Sequence, residues 1–167
     1  MFTNLSNKFF ITEGALTSRK ELALMAHLMR RAGFGASRRE IDERAQKGYE
    51  ATVEELVDPG SHGISPLHEG IFYRHYQGIE NPGNPLNMRG NFLYRMINSP
   101  RPLEEKTTLF WHQVFATGYS KVDNGNELLH QIDMFRKYGM DSYKELLVKL
   151  AKNPAMIFWL DNNENHK

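Results

Sequence analysis

Fourteen consecutive residues without a formal charge, Thr107 to Ser120 (TTLFWHQVFATGYS), stand in a chain in which 25% of residues are charged. Its indole, phenyl and aliphatic side chains each favour removal from water, so the stretch is expected inside. Local signals make it helical. Pro100 and Pro102 punctuate its start, Glu104 and Glu105 occupy the first turn, where carboxylates favour the positive end of the helix dipole, and Gly118 offers a stop. At about 100° per residue Leu103, Thr107, Phe110, Trp111, Val114 and Phe115 fall on one arc, with Leu109, His112 and Ala116 on the opposite flank. A helix apolar on two sides needs neighbours on two sides. The expectation is a buried helix over about residues 103–117 at the centre of the fold.

The rest of the chain supplies those neighbours as further helices. Residues 1–17 show no sustained period and are expected to form a poorly structured arm, with Phe9, Phe10 and Ile11 able to dock on the body. Ser18 with Glu21 is a capping box that opens a helix over Arg19 to Ala32, whose apolar stripe is Leu22, Met25, Ala26, Met29 and Ala32, with Leu24 and Leu28 on a second side. Ser37 with Glu40 repeats the pattern for a short helix to about Lys47. A third helix, Tyr49 to Val57, carries Val53, Leu56 and Val57 and ends in the turn Asp58-Pro59-Gly60. Pro66 to Tyr76 carries a weaker helical pattern, and residues 78–85 are a loop by composition.

Helical spacing resumes over Asn87 to Asn98, with Phe92, Leu93, Met96 and Ile97 on one side. Beyond the central helix, Lys121 to Gly125 reads as a polar loop. Helices then follow over Glu127 to Tyr138 (Leu128, Ile132 and Phe135 inward) and Ser142 to Lys152 (Asp141 as cap; Leu146, Leu147 and Leu150 inward). Asn153-Pro154 caps and opens a last short helix. No alternating strand of convincing length and no fixed-period repeat occurs, so the fold class is all-α. It is an irregular bundle of seven to nine helices, and residues 18–167 form one helical domain.

Composition removes several functions. The absence of cysteine excludes disulfides, thiolate nucleophiles and cysteine-held metal clusters. A net charge of +1 gives no field to gather nucleic acid, and the basic cluster Arg30, Arg31, Arg38, Arg39, Arg44 is interleaved with Glu40, Asp42 and Glu43. No run is long and apolar enough to span a membrane, and the first twenty residues lack the pattern of an export signal, so the default location is cytoplasmic.

Four residues carry most of the possible chemistry. His27 and Arg31, one turn apart on the first helix and flanked by Arg30, suit a carboxylate or another anion, but equally suit the bonding of helix ends around Gly33 to Gly35. His112, beside Trp111 on the uncharged helix, has the tunable pKa of a general base, and is equally a satisfied core histidine. Asp161, with Asn162 and Asn165, forms a polar segment that begins like a calcium loop. His166 stands where glycine is required, so an ordinary asparagine-rich helix end explains it as well. His68-Glu69 lacks the second histidine of a zinc hydrolase, no nucleotide-binding glycine loop is present, and no metal site or cofactor is evident.

Three segments taken together carry a resemblance: HLMRRAGFG at 27–35, FWHQVF at 110–115 and NPAMIFWLDN at 153–162. In this order they resemble the bacterial domain-of-unknown-function 1800 family, over about residues 22–165. The resemblance implies a mostly helical domain without an established reaction. Its relatives are often exported and frequently encoded beside an uncharacterised sulfatase-like family, which suggests an envelope- or secretion-linked protein partner. The family continues into a further segment rich in asparagine, glutamate and arginine, so this chain resembles its N-terminal portion. Two functions follow as expectations. One is a helical scaffold or partner-binding domain. The other is part of a metal- or haem-assisted enzyme, in which His27, Arg31, His112 and Asp161 meet in a site completed by that further segment.

Overall fold

A computed structural model describes residues 17–68, 70 and 83–165. The expected arm, most of the Pro66 to Tyr76 pattern and its Ile71, Phe72 and Tyr76 lie outside the described residues. Among the described residues there are nine α-helices, a final 3-10 turn and no strand. No helix among them is long and apolar enough to cross a membrane.

The first three helices are set by their caps. Ser18 Oγ accepts from the Glu21 amide (3.2 Å) and Glu21 Oε2 accepts from the Ser18 amide (2.7 Å), opening α1 over Arg19–Ala32. Ser37 Oγ caps α2, Arg38–Lys47, by accepting from the Glu40 amide (3.2 Å), without the reciprocal glutamate contact seen at α1. Gly48 then adopts φ +103°, closing α2 and opening α3, Tyr49–Val57, in a single residue. Arg44 of α2 reaches Glu55 of α3 at 2.8 Å, and the buried Thr52 hydroxyl donates to the Gly48 carbonyl at 2.8 Å. Met29 and Ala32 pack with Leu56, and Leu28, Ala36 and Leu103 close the cluster.

Leu103 belongs to the central helix, so the first unit is fastened to it directly. Asn84 and Pro85 start α4, Pro85–Asn98, and Pro102 starts α5, Pro102–Val114. After α5 come the one-turn α6, Tyr119–Val122, then α7, Gly125–Tyr138, and α8, Tyr143–Ala151. Asn153 Oδ1 accepts from the Met156 amide to open α9, Pro154–Trp159, and Asn162–Glu164 form the 3-10 turn. The larger core joins Phe135, Leu146, Leu150 and Met156, with Trp111 and Phe115 of the α5 end packed against it. Helix α5 therefore links both clusters, and it lies mainly along α7.

Several expected inward faces are corrected. The innermost residues of α5 are Glu105 and Thr108, whereas Phe110 is 52% exposed and Val114 is also exposed. The buried Glu105 and Thr108 and the half-buried His112 and Phe115 recur every three to four residues, as a helix face must, but that face is rotated from the most apolar arc. On α4 the buried residue is Arg95, while Leu93 and Ile97 face solvent. Val57, Leu24 and Leu147 are exposed too. Helix α5 ends at Val114, with Phe115 at its C-cap. The supposed polar loop from Lys121 holds the end of α6 and a buried Val122. Ser142, not Asp141, occupies the α8 cap position.

Close backbone packing fixes the start of α7. A Cβ on the buried Gly125 would lie 1.7 Å from the Gly83 carbonyl oxygen, so no side chain fits without moving one backbone away from the other. Gly125→Ala is accordingly expected to cost about 2 kcal/mol or more, in the range of core overpacking, read as a lower midpoint in denaturant unfolding.

Candidate functional site

The most heavily built polar feature grows from Glu105. Its carboxylate is 1% exposed on the inner face of α5, where an unpaired charge would be untenable. Arg136 of α7 answers it with a two-pronged contact, Nε to Oε1 at 3.0 Å and Nη2 to Oε2 at 3.1 Å. Arg95 of α4 approaches the same carboxylate, Nη1 standing 4.0 Å from Oε1, and its Nε donates to Asn91 Oδ1 at 3.0 Å. Arg136 also pairs with Asp133 on the solvent side. One turn earlier, Arg101 Nε donates to the Ile64 carbonyl (2.9 Å) and Nη1 meets Glu104 Oε2 (3.3 Å). Burial raises the Glu104 carboxyl above its usual range, against the pull of Arg101.

Three cavities run along this region. One, of about 240 Å³, lies between α4 and α7 and is walled by Asn91, Phe92, Arg95, His130, Ile132 and Arg136. A second, of about 390 Å³, opens on the other side of the arginines, against Pro66, Arg101, Glu104 and Lys137. The third, of about 190 Å³, surrounds His112. There the imidazole meets Phe92 edge-on at 6.4 Å between centroids, and its Nδ1 is buried with no hydrogen-bond partner among the described residues. Burial also depresses the imidazole pKa, so the ring is held neutral at pH values where a free histidine begins to protonate.

Of the four residues singled out from sequence, His112 alone lines one of these cavities. His27 and Arg31 lie exposed along α1 with Arg30, and none of the three has a carboxylate partner among the described residues. Asp161 is exposed and paired with Lys121 at 2.8 Å, while Lys121 also donates to the Trp159 carbonyl. Asn162 and Asn165 bond each other across the 3-10 turn at 3.1 Å. Among the described residues no three His, Asp or Glu side chains are placed to hold a metal ion. Sequence reasoning missed Glu105, Arg136 and Arg95. The only local sign was an arginine amid the apolar spacing of α4, and its meaning depends on a carboxylate on another helix.

A second buried network holds the α5 exit. Gln131, fully buried, takes a hydrogen bond from the Thr117 hydroxyl and donates to Asn153 Oδ1 at 3.0 Å, the same oxygen that caps α9. The floor of the His112 cavity is thereby tied to the C-terminal helices.

A family model described as a protein of unknown function (DUF1800) matches residues 27–167. No curated protein and no solved structure matches the chain.

Glu105→Leu leaves the largely buried Arg136 guanidinium with only Asp133 on its solvent side and is expected to cost about 3 kcal/mol, the lower end for a broken buried pair, whereas Glu105→Leu with Arg136→Met recovers about half of the loss or more. Chemical denaturation of the two variants separates a charge that must be matched from one that merely fills space. For His112 the folded-state pKa lies below the ordinary 6.5, so between the two values the unfolded chain holds a proton that the folded chain refuses. The stability contributed by the neutral ring is present above 6.5 and is lost as pH falls from there through the folded-state value. Melting curves between about pH 7 and about pH 5 should show a steeper loss for the unaltered chain than for His112→Gln.

Proposed function

The chain belongs to the DUF1800 family of proteins of unknown function, and from that premise we propose that the described helices form a partner-binding scaffold whose α4 docks an amphipathic helix of another polypeptide. One observation carries this. Leu86, Leu93 and Ile97 are 75%, 58% and 79% exposed. At about 100° per residue these three positions lie within about 40° of one another, a single straight stripe. Helix α4 thus directs an arginine inward and a line of aliphatic groups outward, the reverse of an ordinary surface helix.

The chemistry of the stripe narrows the partner. From Pro85 to Asn98 the helix has no acidic residue, and the exposed Arg89 borders the stripe. A second copy would bring apolar groups but no carboxylate on its own α4. A different helix, with aliphatic anchors one and two turns apart and an acidic residue beside them, satisfies both. Full burial of three such side chains is worth roughly 5–9 kcal/mol before the entropy of association is subtracted, enough for a reversible contact. By the family resemblance, a sulfatase-like protein of the kind encoded beside relatives is the first partner to test, in an envelope- or secretion-linked pair.

The alternative, a metal- or haem-assisted enzyme uniting His27, Arg31, His112 and Asp161, draws no support from the placement of those side chains. No specific observation favours it.

Leu93→Lys with Ile97→Lys should weaken binding of that partner by tenfold or more in biolayer interferometry while leaving the melting temperature unchanged. Undiminished binding would remove the stripe from the interface. A drop of several degrees would show the stripe already packed in the free chain, and a concentration-dependent dimer abolished by the variant would assign the face to a second copy; either result overturns the reading.

A further inference from the structure

We propose that the cavity around His112 is a binding site for a small carboxylate with a single apolar ring, of the size of benzoate. This inference stands on the cavity rather than on the outward face of α4, and it survives if partner docking fails. Met88 and Phe92 of α4 and Leu128 and Ile132 of α7 provide apolar walls, and Pro85 adds another. About 190 Å³ is available. A closed apolar cavity of about 150 Å³ is enough for benzene, so one ring with one substituent fits and a tetrapyrrole does not.

The polar lining is of one kind. His112, Thr117, Tyr119 and Arg89 border the space, and no carboxylate among the described residues does. Thr117 has committed its hydroxyl proton to Gln131. Arg89 is exposed at the rim and has no ion-pair partner among the described residues. His112 offers the third element. A neutral imidazole has one N–H, and setting that proton on the buried, unpartnered Nδ1 would strand a donor, a costlier omission than an unused acceptor. The proton therefore belongs on Nε2, which is not among the buried, unpartnered atoms of the described residues. In the proposed pose that N–H is the donor His112 offers to whatever fills the cavity it lines. A ligand oxygen accepts from Nε2–H, the second oxygen turns to Arg89 at the mouth, and the apolar ring lies between Phe92 and Ile132.

The probe is benzoate, titrated into the full chain and followed by 1H-15N correlation spectra, with the uncharged isostere benzamide as control. Saturable shifts confined to α4, α7 and the end of α5 are expected, with a Kd on the order of 1 mM or tighter for a ligand of this size. Benzamide should bind at least fivefold more weakly. His112→Phe, which keeps a ring and removes the donor, should weaken benzoate about tenfold. Met88→Phe, which fills the space, should abolish binding. The Leu93→Lys, Ile97→Lys variant should bind benzoate normally, which separates this site from the docking face. No saturable shift at 20-fold the expected Kd, equal affinity for benzoate and benzamide, or shifts that map away from α4 and α7 would each overturn the proposal. The benzamide comparison uses the unaltered chain, so the conclusion does not rest on a variant that fails to fold.

Discussion

The carboxylate of Glu105 is the point on which the helices are set. It sits at the inner face of α5, is gripped at both oxygens by Arg136 of α7, and draws Arg95 of α4 to within 4.0 Å. A hydrophobic contact tolerates rotation of one helix against another; a forked guanidinium on a buried carboxylate does not, because a small turn of α7 would leave a charge unmatched. This fixes the rotation of α5, and the consequence is visible along its length. With Glu105 turned inward, Thr108 follows at three residues, His112 and Phe115 at seven and ten, and Phe110 and Val114 are carried outward. The buried ion pair need not add much net stability over an apolar pair of the same volume. What it specifies is which face of the helix is inside.

That rotation also creates the space beside His112. The α4 helix meets the arginine-bearing side of the ion pair, so the face it turns to α7 carries Asn91, Phe92 and Arg95. These groups do not interdigitate as aliphatic layers would, and the gaps between α4 and α7 are the cavities. Two sets of contacts keep the gaps from collapsing. Backbone abuts backbone where Gly83 meets Gly125, and the Thr117, Gln131 and Asn153 chain anchors the opposite side.

What the sequence made legible was what depends on near neighbours. The boundaries of α1 and α3 follow from Ser18, Glu21 and the Gly48 turn, and the start of α9 from Asn153-Pro154, because caps are satisfied within three or four residues. The family was legible too, since its three motifs lie on α1, α5 and α9 in the expected order. The faces were less so. Hydropathy counts Glu105 and Arg95 as polar and assigns them to solvent, but the partner that makes their burial tolerable, Arg136, lies 31 residues beyond Glu105. The same limit hid the cavity around His112: its walls come from α4 and α7, and spacing within α5 carries no trace of them.

The helix that departs furthest from local rules is also the one to which both functional readings return. In a free-standing fold each element's inside and outside agree with its sequence pattern, and conflicts gather where function has a claim. Along α4 the conflict is complete on both sides: Arg95 is buried, and Leu86, Leu93 and Ile97 are bare. An inward arginine is accounted for by Glu105. The outward aliphatic side chains are accounted for by nothing in the described fold. Because Arg89 borders both the apolar stripe and the mouth of the His112 cavity, a carboxylate bound in the cavity and a carboxylate on a docked helix would draw on the same guanidinium. The two events are then not independent: whichever arrives first leaves the other without its counter-charge, and the coupling between them must be negative and reciprocal.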